Sequence, residues 1–302
     1  MAYAHIRTAD KDLSSTEKEL INKSIKSSTD LYYLIFSLLS DIRYMAAKRI
    51  DAAKNKHFPT YQDLNPNMRF VENPVILKIE ESKEYQQYIS NKVIAWDNDE
   101  TVAYFLNKLV ASPMYDKYMS AESVTFKQHL NFVIEMATDI ILSDDVFFQH
   151  TEEKNIYWND DYSTIIPAVI RTLKRIKKGE DILFENYEKL EEVTADNEFA
   201  TQLIRRTILD RENYEEYISK HIVNWNIERM SDMDRLIMDL TITEWINFPE
   251  IPVKVTMNEY LDIAKAYSSQ KSISFINGVL DKILSDLKES GKIEKAGRGL
   301  VE

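Results

Sequence analysis

Five histidines, His5, His57, His129, His150 and His221, are the first residues that could do chemistry. A helical zinc site sets two histidines four residues apart on one face, and no such pair occurs. They are expected to be structural or surface residues. Two adjacent carboxylate pairs, Asp144-Asp145 and Asp160-Asp161, could in principle act as acid and base. Neighbouring helical positions point about 100° apart, so pairs beside a turn read as helix caps rather than dyads. The chain has no cysteine, which removes thiolate nucleophiles, disulfides and Cys-ligated zinc. It also has no phosphate-binding loop, dinucleotide glycine pattern or nucleophile elbow. An enzyme is not expected, and neither is a cofactor or a metal. The 17 tyrosines are read mostly as packing residues with the hydroxyl at the surface. Some could stack on bases, but their spacing selects none.

The elements that must position these residues are helices. Only 5 Gly and 7 Pro occur in 302 residues, and none of the glycines precedes Gly179. Since these residues make turns and break helices, their scarcity implies long helices joined by polar loops, an all-α fold. Ser14 and Ser15 with Glu17 resemble a capping box opening a first helix. A second, over residues 29–55, places Leu31, Leu34, Ile35, Leu38, Ile42, Met45 and Ile50 on one face. Pro59, Pro66 and Pro74 make residues 58–74 an extended loop. Further helices follow, the strongest over 124–142. Breaks fall at Pro113 and Ser120, at Ser143-Asp144-Asp145, around Trp158-Asn159-Asp160-Asp161, and at Lys178-Gly179. The C-terminal part is the most regular, with helical patterns over 197–209, 213–223, 231–246, 254–266 and 272–288. Its short connections imply a compact bundle, and Gly291, Gly297 and Gly299 suggest a loose tail.

Net charge is −12, which argues against a generic polyanion binder. The distribution is uneven. Residues 1–57 carry 10 basic and 7 acidic side chains, residues 58–196 carry 14 and 25, and residues 197–302 carry 14 and 18. The acidic middle has a plain role in solubility and leaves the ends able to present local basic faces. No apolar run approaches the roughly 18–20 residues that span a bilayer. The run over 31–39 is short and amphipathic, and there is no secretory leader pattern. A cytoplasmic protein without a membrane partner is expected.

The C-terminal segment resembles the NusB family. The resemblance is carried by Trp225-x-Ile227-x-Arg229-Met230, by Met233-Asp234-Arg235-Leu236-Ile237-Met238 and by Thr243-Glu244. It continues through Ile251-Pro252-Val253-Lys254-Val255-Thr256-Met257-Asn258-Glu259 and Ile263-Ala264-Lys265. It closes on Phe275-Ile276-Asn277-Gly278-Val279-Leu280-Asp281-Lys282. The blocks stand in family order and spacing. The resemblance implies a NusB-like two-subdomain helical bundle with an additional helical region. Residues 1–56 would supply its N-terminal helices, 57–196 a long-form insertion and 197–302 the C-terminal module.

The implied function is transcription antitermination. The partners would be boxA-type single-stranded RNA, the ribosomal protein acting as NusE, and an elongating RNA polymerase complex. Carried onto this chain, Phe275 would stack on a base. Lys271, Ser272 and Ser274 would meet phosphate with a basic side chain and backbone amides. A core role for Phe275 is the competing reading. The family often has an acidic residue at the position of Lys271, so RNA attraction would be stronger here. Glu228 and Asp234 match acidic positions that face the ribosomal protein, with a helix-cap or solvated role as the alternative. Asn258, Glu259, Asn277 and Gly278 are read as architectural, fixing helix starts and close packing.

One departure concerns the other end. The family grips RNA phosphates with an arginine-rich first helix, and Ala2-Tyr3-Ala4-His5 looks like the tail of it. Tyr3 and Arg7 would contribute to the RNA face, with Lys11 nearby, but the preceding arginines are missing. A truncated start is the expectation, and fewer phosphate contacts would mean weaker binding. The alternative function is a helical protein–protein scaffold in transcription or ribosome assembly with little RNA binding of its own. The front domain of an RNA methyltransferase is set aside, because no Rossmann-type domain follows.

Overall fold

The computed structural model describes residues 15, 27–91, 96, 99–185, 191–222 and 230–300. Every regular element among them is a helix, so the fold is all-α. The expected first helix lies, Ser15 apart, outside the described residues. The chain divides into two compact units, one of Lys23–Leu190 and one of Met1–Asn22 with Glu191–Glu302.

The first unit runs α1 (Ser27–Lys54), α2 (Tyr61–Leu64), α3 (Pro74–Glu81), α4 (Lys83–Asn91), α5 (Asp99–Val110) and α6 (Pro113–Ser120). Next come α7 (Phe126–Glu135, continued by a π-helical turn Met136–Ile141), α8 (Asp145–Lys154) and α9 (Tyr162–Arg175). Helix α1 is its axis. Leu31, Tyr32, Tyr33, Leu34, Ile35, Phe36, Leu38 and Leu39 are all buried, so this half of the helix has no solvent face. The sequence pattern suggests one apolar stripe here. The aromatic residues between the aliphatic ones make the segment apolar all round, and such a helix is stable only when covered on every side. The cover comes from α3, α5 and α9. Two indole N–H groups bond to the helix backbone, Trp96 to the Leu34 carbonyl at 3.0 Å and Trp158 to the Ser27 carbonyl at 2.7 Å. The Tyr32 hydroxyl lies 2.7 Å from the Thr172 hydroxyl and accepts the Glu185 amide at 3.1 Å.

Local signals set several boundaries. Thr125 and Gln128 form the capping box that opens α7. Within the proline-rich stretch 58–74, Thr60 and Asp63 form another and wind the short α2. The Thr138 hydroxyl takes the Ile134 carbonyl at 3.1 Å where the helix widens into its π turn.

The two carboxylate pairs diverge. Asp144 caps α8 by accepting the Val146 amide at 2.9 Å, and it also receives Lys108 and the Tyr104 hydroxyl. Burial opposes its charge, but these donors hold it below the usual carboxylate range. Asp161 stands at the N-cap position of α9 yet makes no cap bond, its carboxylate accepting the Ser28 hydroxyl at 2.8 Å. Burial pushes the Asp161 carboxyl up to about 6, against the pull of the Ser28 bond and with help from the neighbouring Asp160 charge. A group raised on folding contributes stability below its unfolded value and loses it as pH rises through the folded one. Asp161→Asn should therefore match the wild type near pH 4. Above pH 7 it should exceed the wild type by about 1–2 kcal/mol, after allowance for solvent screening of a partly exposed group. Urea melts of both proteins across this range measure the difference, and parallel curves would refute it.

The second unit contains α10 (Glu191–Leu209), α11 (Arg211–His221), α12 (Asp232–Asn247), α13 (Val253–Tyr267) and α14 (Gln270–Glu289). Its core gathers Tyr214, Ile218, Ile237, Met238, Ile242, Trp245, Tyr260, Ile276, Leu280, Ile283 and Leu287. The tail is docked rather than loose. The Ala296 amide bonds to the Pro249 carbonyl at 2.9 Å and the Lys295 ammonium to that of Phe248 at 2.9 Å. A Cβ on Gly299 would lie 1.9 Å from the Pro249 carbonyl oxygen, so that close approach requires glycine.

Candidate functional site

The residues expected to meet RNA sit at the start of α14. Ser269 is the N-cap, its hydroxyl accepting the Ser272 amide at 3.2 Å. The helix therefore begins at Gln270, earlier than the apolar pattern suggests, because the serine cap sets the start. Lys271 and Ser274 are exposed, and Ser272 is half-buried with its hydroxyl 3.0 Å from that of Ser269. The amides of the first turn have no intrahelical acceptor, and the helix dipole favours an anion there. Phe275 lies in the second turn. It is half-buried, with part of the ring against the unit's core and part facing out.

Gly278 is not explained by packing among the described residues. It is exposed, and an added Cβ would meet nothing within 4 Å. A glycine inside a helix costs about 1 kcal/mol relative to alanine. Helical spacing puts it on the face that carries Lys271 and Ser274. Tyr267, 44 % exposed and two residues before the Ser269 cap, was not singled out from sequence. Its exposure follows from the turn between α13 and α14, which no periodicity reveals.

Asp234 has an internal task. It is 5 % exposed, and its carboxylate accepts the Ser268 hydroxyl at 2.6 Å, while its amide donates to the Ser231 cap at 3.1 Å. The start of α12 is thereby tied to the turn that launches α14. Glu228, Tyr3 and Arg7 lie outside the described residues.

The same unit holds a buried polar cluster. Glu244 is 6 % exposed and accepts the Thr256 hydroxyl at 2.8 Å and the Tyr260 hydroxyl at 3.0 Å. Burial, then the Glu244 charge and its hydrogen bond, push the Tyr260 phenol well above its ordinary range. One residue earlier, Thr243 accepts the Thr207 hydroxyl at 2.9 Å and donates to the Asp239 carbonyl at 2.8 Å. The Thr243-Glu244 pair thus joins α12 to α10 on one side and to α13 on the other.

The described histidines have structural contacts. His129 lies 2.6 Å from the Tyr118 hydroxyl, His150 stacks on Trp96, His221 pairs with Asp286, and His57 meets Phe58 edge-on. Among the described residues no group of three or more His, Asp or Glu is placed to hold a metal ion. No helix among them is long and apolar enough to cross a membrane.

The fold is all-α, and the surface that the sequence marks is the start of α14. The NusB family profile matches residues 166–285, beginning inside α9 and ending in α14. A transcription antitermination protein NusB of Salinibacter ruber is 42 % identical over 148 residues, covering 49 % of this chain and 85 % of that protein. Proteins of the same name from Chloroherpeton thalassium and Bacillus licheniformis are also similar. The first is 37 % identical over 115 residues, covering 37 % of this chain and 54 % of the relative, and the second 41 % over 90 residues, covering 30 % and 70 %. The chain belongs to the NusB family. No solved structure matches it.

Proposed function

We propose that the protein is a cytoplasmic transcription antitermination factor that binds boxA-type single-stranded RNA together with the ribosomal protein acting as NusE, within an elongating RNA polymerase complex. The observation that carries this reading is the start of α14, inside the family match, where exposed Lys271 and half-exposed Phe275 flank a helix N-terminus. A half-exposed aromatic ring can stack on a base, and a cation beside the positive end of a helix dipole can receive phosphate. Ser272 and Ser274 complete that edge. Tyr3 and Arg7 are assigned to the same RNA, and Glu228 and Asp234 to the ribosomal protein. Because Asp234 also anchors the turn before α14, a substitution there would disturb the RNA edge as well as any partner contact. In descent, residues 1–56 and 197–302 belong to the shared fold and 57–196 to the insertion. In the structure α1 shares its core with that insertion.

Fluorescence anisotropy with a boxA oligonucleotide, with and without the ribosomal protein, tests the reading. Phe275→Ala should weaken binding by roughly 5- to 150-fold, the range of about 1–3 kcal/mol for losing one stacked base. Lys271→Glu should weaken it and flatten the salt dependence. Unchanged affinity in both variants would remove the RNA site from this helix. The acidity of residues 58–196 favours the scaffold reading, in which the protein binds the ribosomal protein but no RNA at any salt concentration.

A further inference from the structure

One pocket of the first unit gathers positive groups within the most acidic stretch of the chain. It has a volume of about 390 Å³ and lies between α3, the start of α7 and the turn that follows α9. Pro74, Lys78 and Glu81 line it from α3, and their spacing of four and then three residues puts them on one face of that helix. Phe126 and His129, three residues apart, line it from the first turn of α7, the positive end of that helix. Lys178 comes from the third side, beside Gly179, whose φ of 83° requires glycine and turns the chain there. Residues 58–196 carry 14 basic and 25 acidic side chains, so two ammonium groups facing one carboxylate run counter to their surroundings.

The donors of this pocket are uncommitted. Neighbouring cations are paired within the chain, Lys177 with Glu180 and Arg171 with Glu185. Lys78 and Lys178 make no ion pair among the described residues. The Tyr118 hydroxyl accepts the Asn73 side-chain amide at 3.0 Å and lies 2.6 Å from His129 Nδ1, much closer than the 3.5 Å to the Arg69 carbonyl. The phenol proton therefore goes to Nδ1, which leaves the imidazole proton on Nε2. Burial, then the Arg69 charge, hold His129 below its ordinary range and keep it a neutral N–H donor. Its Nε2 makes no hydrogen bond among the described residues and is not buried. Point charges and a donor arriving from three elements suit a tetrahedral phosphate better than a planar carboxylate. The remaining wall is apolar, made of half-buried Pro74, Val124 and Phe126, and a bare phosphate would leave it uncovered.

We propose that this pocket binds a small phosphomonoester with a flat apolar portion, the chemistry of a nucleoside monophosphate. Lys78, Lys178 and the His129 Nε2–H hold the phosphate, and the apolar portion lies against Phe126. Calorimetric titration of the full chain with adenosine monophosphate, adenosine and inorganic phosphate tests this without reference to RNA. Adenosine monophosphate should bind more tightly than either of the other two and should shift the His129 imidazole resonance in the NMR spectrum. Lys78→Ala/Lys178→Ala should weaken it by about tenfold or more. Glu81→Gln, which removes the one opposing charge, should tighten it. Lys127→Ala removes a charge exposed on α7 outside the pocket and should change nothing. Absence of saturable binding up to about 10 mM overturns the inference. So does equal affinity for adenosine and its monophosphate, or an equal loss in the Lys127 and Lys78/Lys178 variants. Inorganic phosphate that binds as tightly as the monophosphate overturns the role given to the apolar wall.

Discussion

Trp245→Ala will destabilise the C-terminal unit by about 3–5 kcal/mol, the largest single effect expected in this protein. The indole is fully buried between α12 and its neighbours, and its N–H donates to the Val253 carbonyl at 3.2 Å. Truncation removes the apolar area of the largest fully buried side chain among the described residues and leaves a cavity that rigid helices fill only in part. It also leaves the Val253 carbonyl without that donor, at the first residue of α13. Domains are stable by only about 5–15 kcal/mol, so this loss consumes a large share. Amide exchange in α12 and α13 reads it without relying on tryptophan fluorescence. Protection factors that fall by less than tenfold would show that the site collapses around the missing ring.

The second large effect is at Glu244. Glu244→Ala should cost about 2–4 kcal/mol, because it strands the buried Thr256 and Tyr260 hydroxyls as well as opening space. The asymmetry of buried hydrogen bonds governs this estimate, since an unmade bond costs more than a made one contributes. Glu244→Gln should recover most of the loss, as the amide oxygen and nitrogen can satisfy both hydroxyls. The Tyr260 phenol, raised by burial and by the Glu244 charge, should titrate lower in the glutamine variant. Denaturant melts and ultraviolet titration measure the two quantities. Equal melting of the alanine and glutamine variants would mean that packing volume, not hydrogen bonding, sets the cost.

These two positions show how a sequence block acquires a physical meaning. Thr243-Glu244 is legible as part of a family pattern, but the pattern does not say why the pair is there. The structure supplies the reason: consecutive residues on a buried helix point to different neighbours, so one serves α10 and the other α13. The same holds for Asp234. The sequence marks it as an acidic position, and the fold turns its carboxylate inward to the turn before α14. Gly278 runs the other way, since close packing is expected and no described residue lies within 4 Å of a Cβ placed there.

What the sequence determined by itself is what short-range physics controls. Scarce glycine and proline with helical apolar spacing imposed an all-helical chain. Serine, threonine and proline at Ser231, Pro252, Ser269 and Thr125 set helix starts through bonds or ring constraints within a few residues. The family blocks were legible for the same reason, because they are contiguous. Tertiary structure alone decided which of two similar carboxylate pairs became a cap. Asp144 bonds to an amide two residues away, while Asp161 reaches Ser28 from across the fold. It also decided that residues 31–40 of α1 are covered on all sides while Phe58 and Tyr61 stay largely exposed. Apolar residues carry no label saying which partner will exclude their water. Burial depends on the elements that happen to pack there, and that is fixed only when the whole chain has folded.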